Sequence, residues 1–226
     1  LGTVDGEPFE QATELARLTG FEARYGAAHH STLADPEDGR VVGAYLWGNA
    51  VLSRWPVRAS RLHLLPNAAD DDLVEPAEAA HELRGVRYAD APSSVRESRS
   101  LLACAIDVDG TSVHVLATHL THIGAGQRRR QAQRVVEIAE ALAGPVVLAG
   151  DLNATLESAD LAPLRPHLDD AFSAVGVPLG DPRRRSCGTD RIDHVLVRGL
   201  VPVACRVVTE AGNASDHWPI VATLSL

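Results

Sequence analysis

The side chains in this sequence that could do chemistry lie at the ends of strand-like apolar runs. The segments ATHL, GDLNA, RIDHV and ASDHWP contribute His119, Asp151, Asn153, Asp193, Asp216 and His217. Successive side chains of a strand point to opposite faces, so polar groups inside such a run would be buried or spent on solvent. Their common position predicts one polar site at the rim of a sheet.

This set of residue types suits the hydrolysis of a phosphate ester. A hard cation neutralises the charge that develops on the phosphoryl oxygens, and carboxylate and carbonyl oxygens are its usual ligands. A base must also take a proton from water, which histidine can do near neutral pH. A carboxylate beside an imidazole orients the ring, so Asp193 could orient His217.

Each segment also has a plain structural interpretation. GDLN could be a turn closed by its own side chains, and SDH could be a loop. His119 could be a hydrogen-bonded structural histidine, and Asp193 could be a salt-bridge partner. We favour the site because four such coincidences would have to occur together in one chain.

Four further histidines are expected to lie outside the site. His122 and His194 neighbour the motif residues, but His194 would face away from Asp193 on a strand. Both are interpreted as structural. His29 and His30 are expected in a surface loop.

The composition bounds the function classes. The net charge of -9 argues against extended nonspecific binding to the phosphates of nucleic acid. It is compatible with a small phosphate substrate. All 21 basic residues are arginine, which excludes lysine Schiff-base chemistry and the lysine of a P-loop. The three cysteines lack CxxC spacing, so neither a disulfide framework nor a zinc site is indicated, and buried free thiols are expected. No run approaches the roughly 20 apolar residues of a membrane span.

The elements that must position the site are strands with some helices between them. Apolar spacing predicts helices over 8–19, with Gly20 just past the end, and over 127–144. Residues 21–25 are expected to form a short strand and 218–226 the last one. This mixture places the chain in the α/β class, or α+β by some schemes.

Turn signals separate the expected strands. An Asp-Gly pair between two apolar runs predicts a hairpin over 101–120. The segment 41–57 predicts two strands, or one bent strand, with Gly48 as the break. Residues 66–92 are rich in acid and proline and are interpreted as a long surface excursion.

The motifs THL, GDLNA, RIDHV and SDH, in this order and at these distances, resemble the endonuclease/exonuclease/phosphatase superfamily, also called DNase I-like. GNAVLSRWPV is similar to that family's GNAxLSR strand. The resemblance runs from about residue 40 to the C-terminus. It implies a four-layer α/β/β/α sandwich of two packed mixed sheets, with residues 1–226 as a single domain that cleaves phosphoester bonds.

The resemblance also implies a divalent cation, Mg²⁺ or Mn²⁺, and names its surroundings. Asp216 would be a metal ligand, and Asp151 would position the metal or the attacking water. Asn153 would contact the phosphate and contribute to the metal site.

The same resemblance implies roles in proton transfer and substrate binding. His217 would be the general base and Asp193 its orienting partner. His119 would polarise the phosphate or assist the leaving group, and Asn49 would lie at the same rim as a substrate contact.

The N-terminus departs from the family pattern. Family members begin with a strand that carries an asparagine ligand, which this chain lacks, and continue with a strand that ends in Gln-Glu. Thr3 stands where that glutamate would be, while Asp5 and Glu7 are out of register with it. Ala117 replaces the asparagine common before the TH of THL. The chain begins without methionine, and we expect it to start inside a longer product, so a targeting segment is left open.

Two functions follow, and a third is weaker. The leading interpretation is a metal-dependent phosphoester hydrolase, and the alternative is a catalytically impaired relative that binds phosphate ligands. A Ser/His/Asp hydrolase would need a GxSxG elbow, which is absent, and Ser215 has no better warrant.

Expected partners are limited to the substrate. A small phosphoester is favoured over DNA or RNA, although the arginine clusters 128–130 and 183–185 could contact substrate phosphates or be solvated. No protein partner is indicated, and a cytoplasmic monomer is the default expectation.

Overall fold

A computed structural model describes residues 2–4, 7–34, 40–67, 81–83, 86–88, 98–212 and 215–226. In chain order its elements are β1 (Gly2–Val4), β2 (Glu7–Phe9), α1 (Gln11–Thr19), β3 (Glu22–Ala34), β4 (Val41–Ser53), β5 (Val57–Leu64), β6 (His81–Leu83), β7 (Val86–Tyr88), β8 (Ser100–Val108), β9 (Thr111–His119), α2 (Ala125–Glu140), β10 (Val146–Asp151), β11 (Asp169–Asp170), α3 (Ala171–Ala174), β12 (Asp193–Arg198), β13 (Val201–Val207) and β14 (Ile220–Ser225).

A six-stranded mixed sheet carries most of the predicted site. Its strand order is β11-β12-β10-β9-β8-β5, in which β9 and β10 run parallel and the other neighbours run antiparallel. Helix α2 connects β9 to β10, as a crossover between parallel strands requires. The α/β class predicted from the sequence is confirmed.

A four-stranded antiparallel sheet, ordered β2-β1-β4-β3, packs against the β5, β8 and β9 side of the larger sheet. The apolar layer between them contains Val51, Val57, Leu102, Cys104 and Ile106. A larger core fills the opposite face, where Leu116 and Leu148 pack with the buried side of α2. The central strands are therefore covered on both faces, which explains why they are nearly continuous apolar runs.

The hairpin predicted over 101–120 is present as β8 and β9. Asp109 and Gly110 form its turn with φ of 50° and 89°, the positive values that a two-residue hairpin turn favours. The predicted helix over 127–144 is present as α2, with slightly earlier bounds. The predicted helix over 8–19 begins later, because residues 7–9 form β2 instead.

Two expectations for the N-terminal half were wrong. His29 and His30 lie within β3 rather than in a loop, because β3 extends far beyond the predicted 21–25. Strand β4 continues through Gly48, so of the two alternatives for residues 41–57 the single strand is present. A Cβ at Gly48 would lie 2.0 Å from the carbonyl oxygen of Gly26, so this glycine permits close contact between β3 and β4 where their register shifts.

The C-terminal strands β13 and β14 form a separate two-stranded ribbon. None of its residues is fully buried, and Val201 and Val203 are 62% and 60% exposed. Strand β13 contacts α3, and β14 approaches β12.

The surface excursion predicted for 66–92 falls largely outside the described residues, apart from the small β6–β7 pair. Cys104 and Cys187 are buried free thiols and Cys205 is partly buried, as expected. Among the described residues, none of the helices has the length and apolar composition needed to cross a membrane.

Candidate active site

Three predicted site residues stand side by side at the ends of neighbouring strands. Asp151, at the end of β10, pairs with His119 of β9 on one side and with Asp193 of β12 on the other. The sheet therefore presents an imidazole and two carboxylates in one row. This register makes Asp151 a neighbour of His119, 32 positions earlier in the chain (151 − 119), and of Asp193, 42 positions later (193 − 151).

A glycine permits that row to form. Gly150 has φ of 152°, and a Cβ there would lie only 1.8 Å from the carbonyl oxygen of Thr118. Any side chain at this position would push β10 away from β9 and separate Asp151 from His119.

The GDLN segment forms both a turn and part of the site. Asp151 Oδ1 accepts a hydrogen bond of 2.8 Å from the backbone N–H of Asn153, which adopts a left-handed φ of 52°. The Asn153 side-chain nitrogen donates to the carbonyl oxygen of Leu120 at 2.9 Å. This bond fixes the amide, which keeps Oδ1 as an acceptor for a cation and a second N–H as a donor for a phosphate oxygen.

His217 completes the cluster from the chain segment before β14. Its Nδ1 lies 2.7 Å from Asp193 Oδ2, and its Nε2 lies 4.0 Å from Asp151 Oδ2. The hydrogen bond with Asp193 raises the pKa of His217 above its usual value, against the opposing effect of burial. The predicted pairing of His217 with Asp193 is thus present in the structure.

The two central groups have shifted protonation equilibria. Burial and the neighbouring Asp193 raise the pKa of Asp151 to about 6. Burial and the positive charge of Arg99 lower the pKa of His119 to about 3. At neutral pH the His119 Nε2 contact of 3.3 Å with Asp151 therefore joins a neutral imidazole to a carboxylate and is not an ion pair.

Asp193 behaves in the opposite way to Asp151. Burial raises its pKa, but hydrogen bonds from His217 and Ser186 outweigh that effect and leave the pKa lowered. The pKa values of the two carboxyl groups, Asp151 and Asp193, are therefore shifted in opposite directions, as is common in acid–base sites.

Two residues near the site were not predicted from the sequence. Ser186 donates a 2.6 Å hydrogen bond to Asp193 Oδ2. Arg99 is buried, and its guanidinium lies 3.3 Å from His122 Nδ1, so His122 lies closer to the site than expected. Arg99 directly precedes β8, and the pairing of β8 with β9 brings it near His119. No local sequence motif indicates that Arg99 lies there. His194 is structural as expected and hydrogen-bonds the carbonyl oxygen of Ala154 at 2.9 Å.

Two predicted residues are less central. Asp216 is partly exposed, and its Oδ1 accepts a hydrogen bond from Ser215 at 3.2 Å. Its charge still contributes to the raised pKa of the adjacent His217. The Asn49 side-chain nitrogen donates to the carbonyl oxygen of Ser100 at 3.0 Å, so Asn49 contacts the first residue of β8.

The donor set fits a divalent cation. Asp151, Asp193 and His217 each offer a ligand atom, and these atoms lie within 4.8 Å of one another. Two carboxylates and an imidazole suit Mn²⁺ well, and Mg²⁺ through its preference for oxygen. Thr3 lies in β1, but its side chain and those of Asp5 and Glu7 are outside the described part of the chain, so the structure identifies no substitute for the family glutamate.

A cavity of about 350 Å³ adjoins the cluster, with Gly150, Asp193, His217 and Trp218 among its lining residues. One arginine of each cluster is paired inside the protein. Arg128 pairs with Asp160, and the buried Arg184 pairs with Asp170. Both arginines therefore stabilise the fold through internal acids.

Solved structures share this fold. A Beutenbergia cavernae endonuclease/exonuclease/phosphatase is 26% identical with a TM-score of 0.66, covering 96% of this chain and 57% of that one. D. rerio TDP2 in complex with a single-strand DNA product is 16% identical, with a TM-score of 0.64 and coverage of 95% and 81%. A Bacteroides thetaiotaomicron mannosyl-6-phosphatase is 17% identical, with a TM-score of 0.56 and coverage of 94% and 88%. Together they show that this chain has a DNase I-like α/β fold.

The family model for the endonuclease/exonuclease/phosphatase family matches residues 5–217, and the chain belongs to that family. The resemblance stated from THL, GDLN, RIDHV and SDH is thereby confirmed. No curated protein matches the chain significantly. The chain spans little more than half of the Beutenbergia cavernae protein, 81% of D. rerio TDP2 and 88% of the mannosyl-6-phosphatase.

Proposed function

We propose that this chain is a divalent-metal-dependent phosphoester hydrolase in which His217, oriented by Asp193, activates the attacking water. The observation that carries the proposal is the 2.7 Å contact between His217 Nδ1 and Asp193 Oδ2. Because Nδ1 donates to this carboxylate, Nε2 is the atom that accepts a proton. Nε2 also faces Asp151, at 4.0 Å. Membership of a phosphoester-hydrolysing family supports the same reaction.

Asp151, Asn153 and Asp216 are the proposed cation ligands. Of these, Asp151 belongs to the cluster of three ligand atoms that it forms with Asp193 and His217, the pair proposed to activate the water. When bound, the cation neutralises charge that develops on the phosphoryl oxygens. The raised pKa of Asp151, about 6, supports this role, because a buried carboxylate that ionises with difficulty gains most from a nearby positive charge.

His119 would polarise a phosphoryl oxygen or assist the leaving group through its single neutral N–H, at Nε2, which lies 3.3 Å from Asp151 Oδ2 in this structure. Its pKa of about 3 leaves almost no imidazolium at neutral pH, so hydrogen bonding is favoured over proton donation. Asn153 would present its remaining acceptor to the cation, while Asn49 supports the edge of the site through Ser100.

Small phosphoesters are proposed as substrates ahead of nucleic acids. The net charge of -9 and the internal pairing of Arg128 and Arg184 support this ranking. The structural neighbours include both a DNA complex and a sugar phosphatase, so they do not narrow the choice. A substrate panel of plasmid DNA, nucleotides, phosphoinositides and sphingomyelin would rank the candidates. We also propose that residues 1–226 belong to one domain, since the family match runs through 5–217.

Hydrolysis of bis-p-nitrophenyl phosphate and p-nitrophenyl phosphate with Mg²⁺ or Mn²⁺ tests the proposal. We expect cation-dependent product release that EDTA stops and that His217→Ala loses. The matched control is His167→Ala, because His167 contacts Glu140 away from the site. Equal release by His217→Ala and the unaltered chain would reject the mechanism.

The alternative is a binding module that retains the phosphate-facing site without turnover. The observation that favours it is Thr3, where the family carries a glutamate ligand. Calorimetric binding of inorganic phosphate without hydrolysis of any panel member would support this alternative.

A further inference from the structure

Ser186 occupies an unusual position beside the proposed catalytic pair. It is completely buried, at 0% exposure, although serine is usually found at the surface. Its hydroxyl donates to Asp193 Oδ2 at 2.6 Å and accepts from the backbone N–H of Asp193 at 3.3 Å. Both hydrogen-bonding capacities of the hydroxyl are therefore directed at one residue.

The acceptor atom makes this contact significant. Asp193 Oδ2 is the same oxygen that receives His217 Nδ1 at 2.7 Å. Two donors on one oxygen limit how the carboxylate can rotate, because rotation would break both bonds together. Charge-assisted hydrogen bonds of this length are also among the stronger ones in proteins.

The backbone around Ser186 connects the two partners. Its carbonyl oxygen accepts the N–H of Trp218 at 2.6 Å, and the neighbouring Cys187 forms a β-bridge with His217. On the other side, its N–H donates to the carbonyl oxygen of Asp190 at 3.0 Å. Ser186 thus contacts the strand that carries Asp193 and the segment that carries His217.

We propose that Ser186 is a positioning residue for the reaction, fixing the Asp193 carboxylate so that His217 presents Nε2 to the attacking water. This inference rests on the proposed hydrolase function. It assigns to the segment RRRSCG, which precedes the RIDHV motif, a function that the sequence motifs do not show. Ser186 acts through Asp193 and does not itself touch the substrate.

Three substitutions separate positioning from folding. Ser186→Ala removes the hydroxyl, Ser186→Cys keeps the volume with a weak donor, and Ser186→Thr keeps the hydroxyl. The matched control is Ser53→Ala, because Ser53 is also buried and bonds the backbone N–H of Trp55, away from the site.

Steady-state kinetics give the first readout. Loss of one hydrogen bond to a charged group predicts a kcat about tenfold lower for Ser186→Ala, with KM within about twofold. Ser186→Cys should fall in the same direction, whereas Ser186→Thr and Ser53→Ala should retain most of the kcat. A folded Ser186→Ala or Ser186→Cys with unchanged kcat, or a folded Ser186→Thr as slow as Ser186→Ala, would overturn the proposal.

Proton NMR of the ¹⁵N-histidine-labelled chain gives a second readout that does not need turnover. The Nδ1–H signal of His217, assigned by its absence in His217→Ala, should shift or broaden in Ser186→Ala and recover in Ser186→Thr. If the unaltered chain hydrolyses nothing, the proposed function fails while this signal still tests the hydrogen-bonded pair. An unchanged His217 signal in Ser186→Ala would reject the role of Ser186 alone.

Discussion

The six-stranded sheet and the β13–β14 ribbon support the two halves of the candidate site in different ways. The strands β9, β10 and β12 carry His119, Asp151 and Asp193. Each of these strands also has a leucine in the core that is at most 1% exposed: Leu116, Leu148 and Leu196. Asp216 and His217 lie just before β14, and neither strand of the ribbon to which β14 belongs has a fully buried residue. One half is therefore held by a packed core, and the other by polar contacts.

The N-terminal region resembles the ribbon more than the large sheet. Helix α1 contains no buried residue, and its Leu15 and Leu18 are 44% and 65% exposed. A two-stranded ribbon is marginal by itself, and such a helix gains little from burial. We therefore expect substitutions in the large sheet to lower the free energy of unfolding. Substitutions near β14 should lower activity with little change in that free energy.

The largest expected effect is on activity and falls on the weakly packed half. His217→Ala removes the proposed base, so kcat should fall about 10²- to 10⁴-fold. The free energy of unfolding should change by less than about 1 kcal/mol, because the side chain is partly exposed. Enzyme assays and urea denaturation of the same preparation would measure both. A large loss in the free energy of unfolding of His217→Ala would contradict the proposed difference between the two regions.

The next effect concerns stability and uses one substitution in two places. Leu148→Ala, in the core at 1% exposure, should cost about 2–5 kcal/mol. Leu18→Ala, on α1 at 65% exposure, should change the free energy of unfolding by less than about 0.5 kcal/mol. Urea midpoints would give both values. Similar losses would show that α1 is covered by a surface that the described residues do not provide.

The pH dependence of activity tests the contact between Asp193, on the large sheet, and His217, before β14. The hydrogen bond that His217 Nδ1 donates to Asp193 raises the pKa of His217, and only the neutral imidazole can accept a proton. Activity on bis-p-nitrophenyl phosphate should therefore fall about tenfold per pH unit below that pKa. At equal metal concentration, Asp193→Asn should move this limb to lower pH. A limb that does not move would argue against the pairing of Asp193 with His217.

The smallest effect is a gain of stability within the packed half. Because the pKa of Asp151 is raised to about 6 from 3.8, ionisation in the folded state costs free energy. This cost is absent below pH 3.8 and complete above about 6, so the metal-free chain loses stability as pH rises across that window. Asp151→Asn should be more stable by about 3 kcal/mol at pH 7 and gain nothing near pH 3.

Added Mn²⁺ provides the control for that substitution. A cation bound at Asp151 should raise the melting temperature of the unaltered chain, since it binds only the folded state, but not that of Asp151→Asn. Equal shifts in both proteins would place the cation elsewhere.

Local signals in the sequence predicted several elements well. The Asp-Gly turn of the β8–β9 hairpin and the apolar spacing of α2 depend on residues close together in the chain, and both are present. His29 and His30 were misplaced because β3 is held by pairing with β4, which compensates for weak local strand signals. The GDLN turn was ambiguous by itself, and the structure shows that Asp151 closes the turn and also faces the site.

The sequence by itself determined the family, the class of fold and the set of polar groups, because those follow from residue types and their order along the chain. Only the tertiary structure decided that Asp151 lies between His119 and Asp193, and that Ser186 holds the carboxylate that His217 contacts. Strand order and buried hydrogen bonds join residues distant in sequence. Local patterns carry no information about them, since pairing and desolvation depend on the assembled sheet.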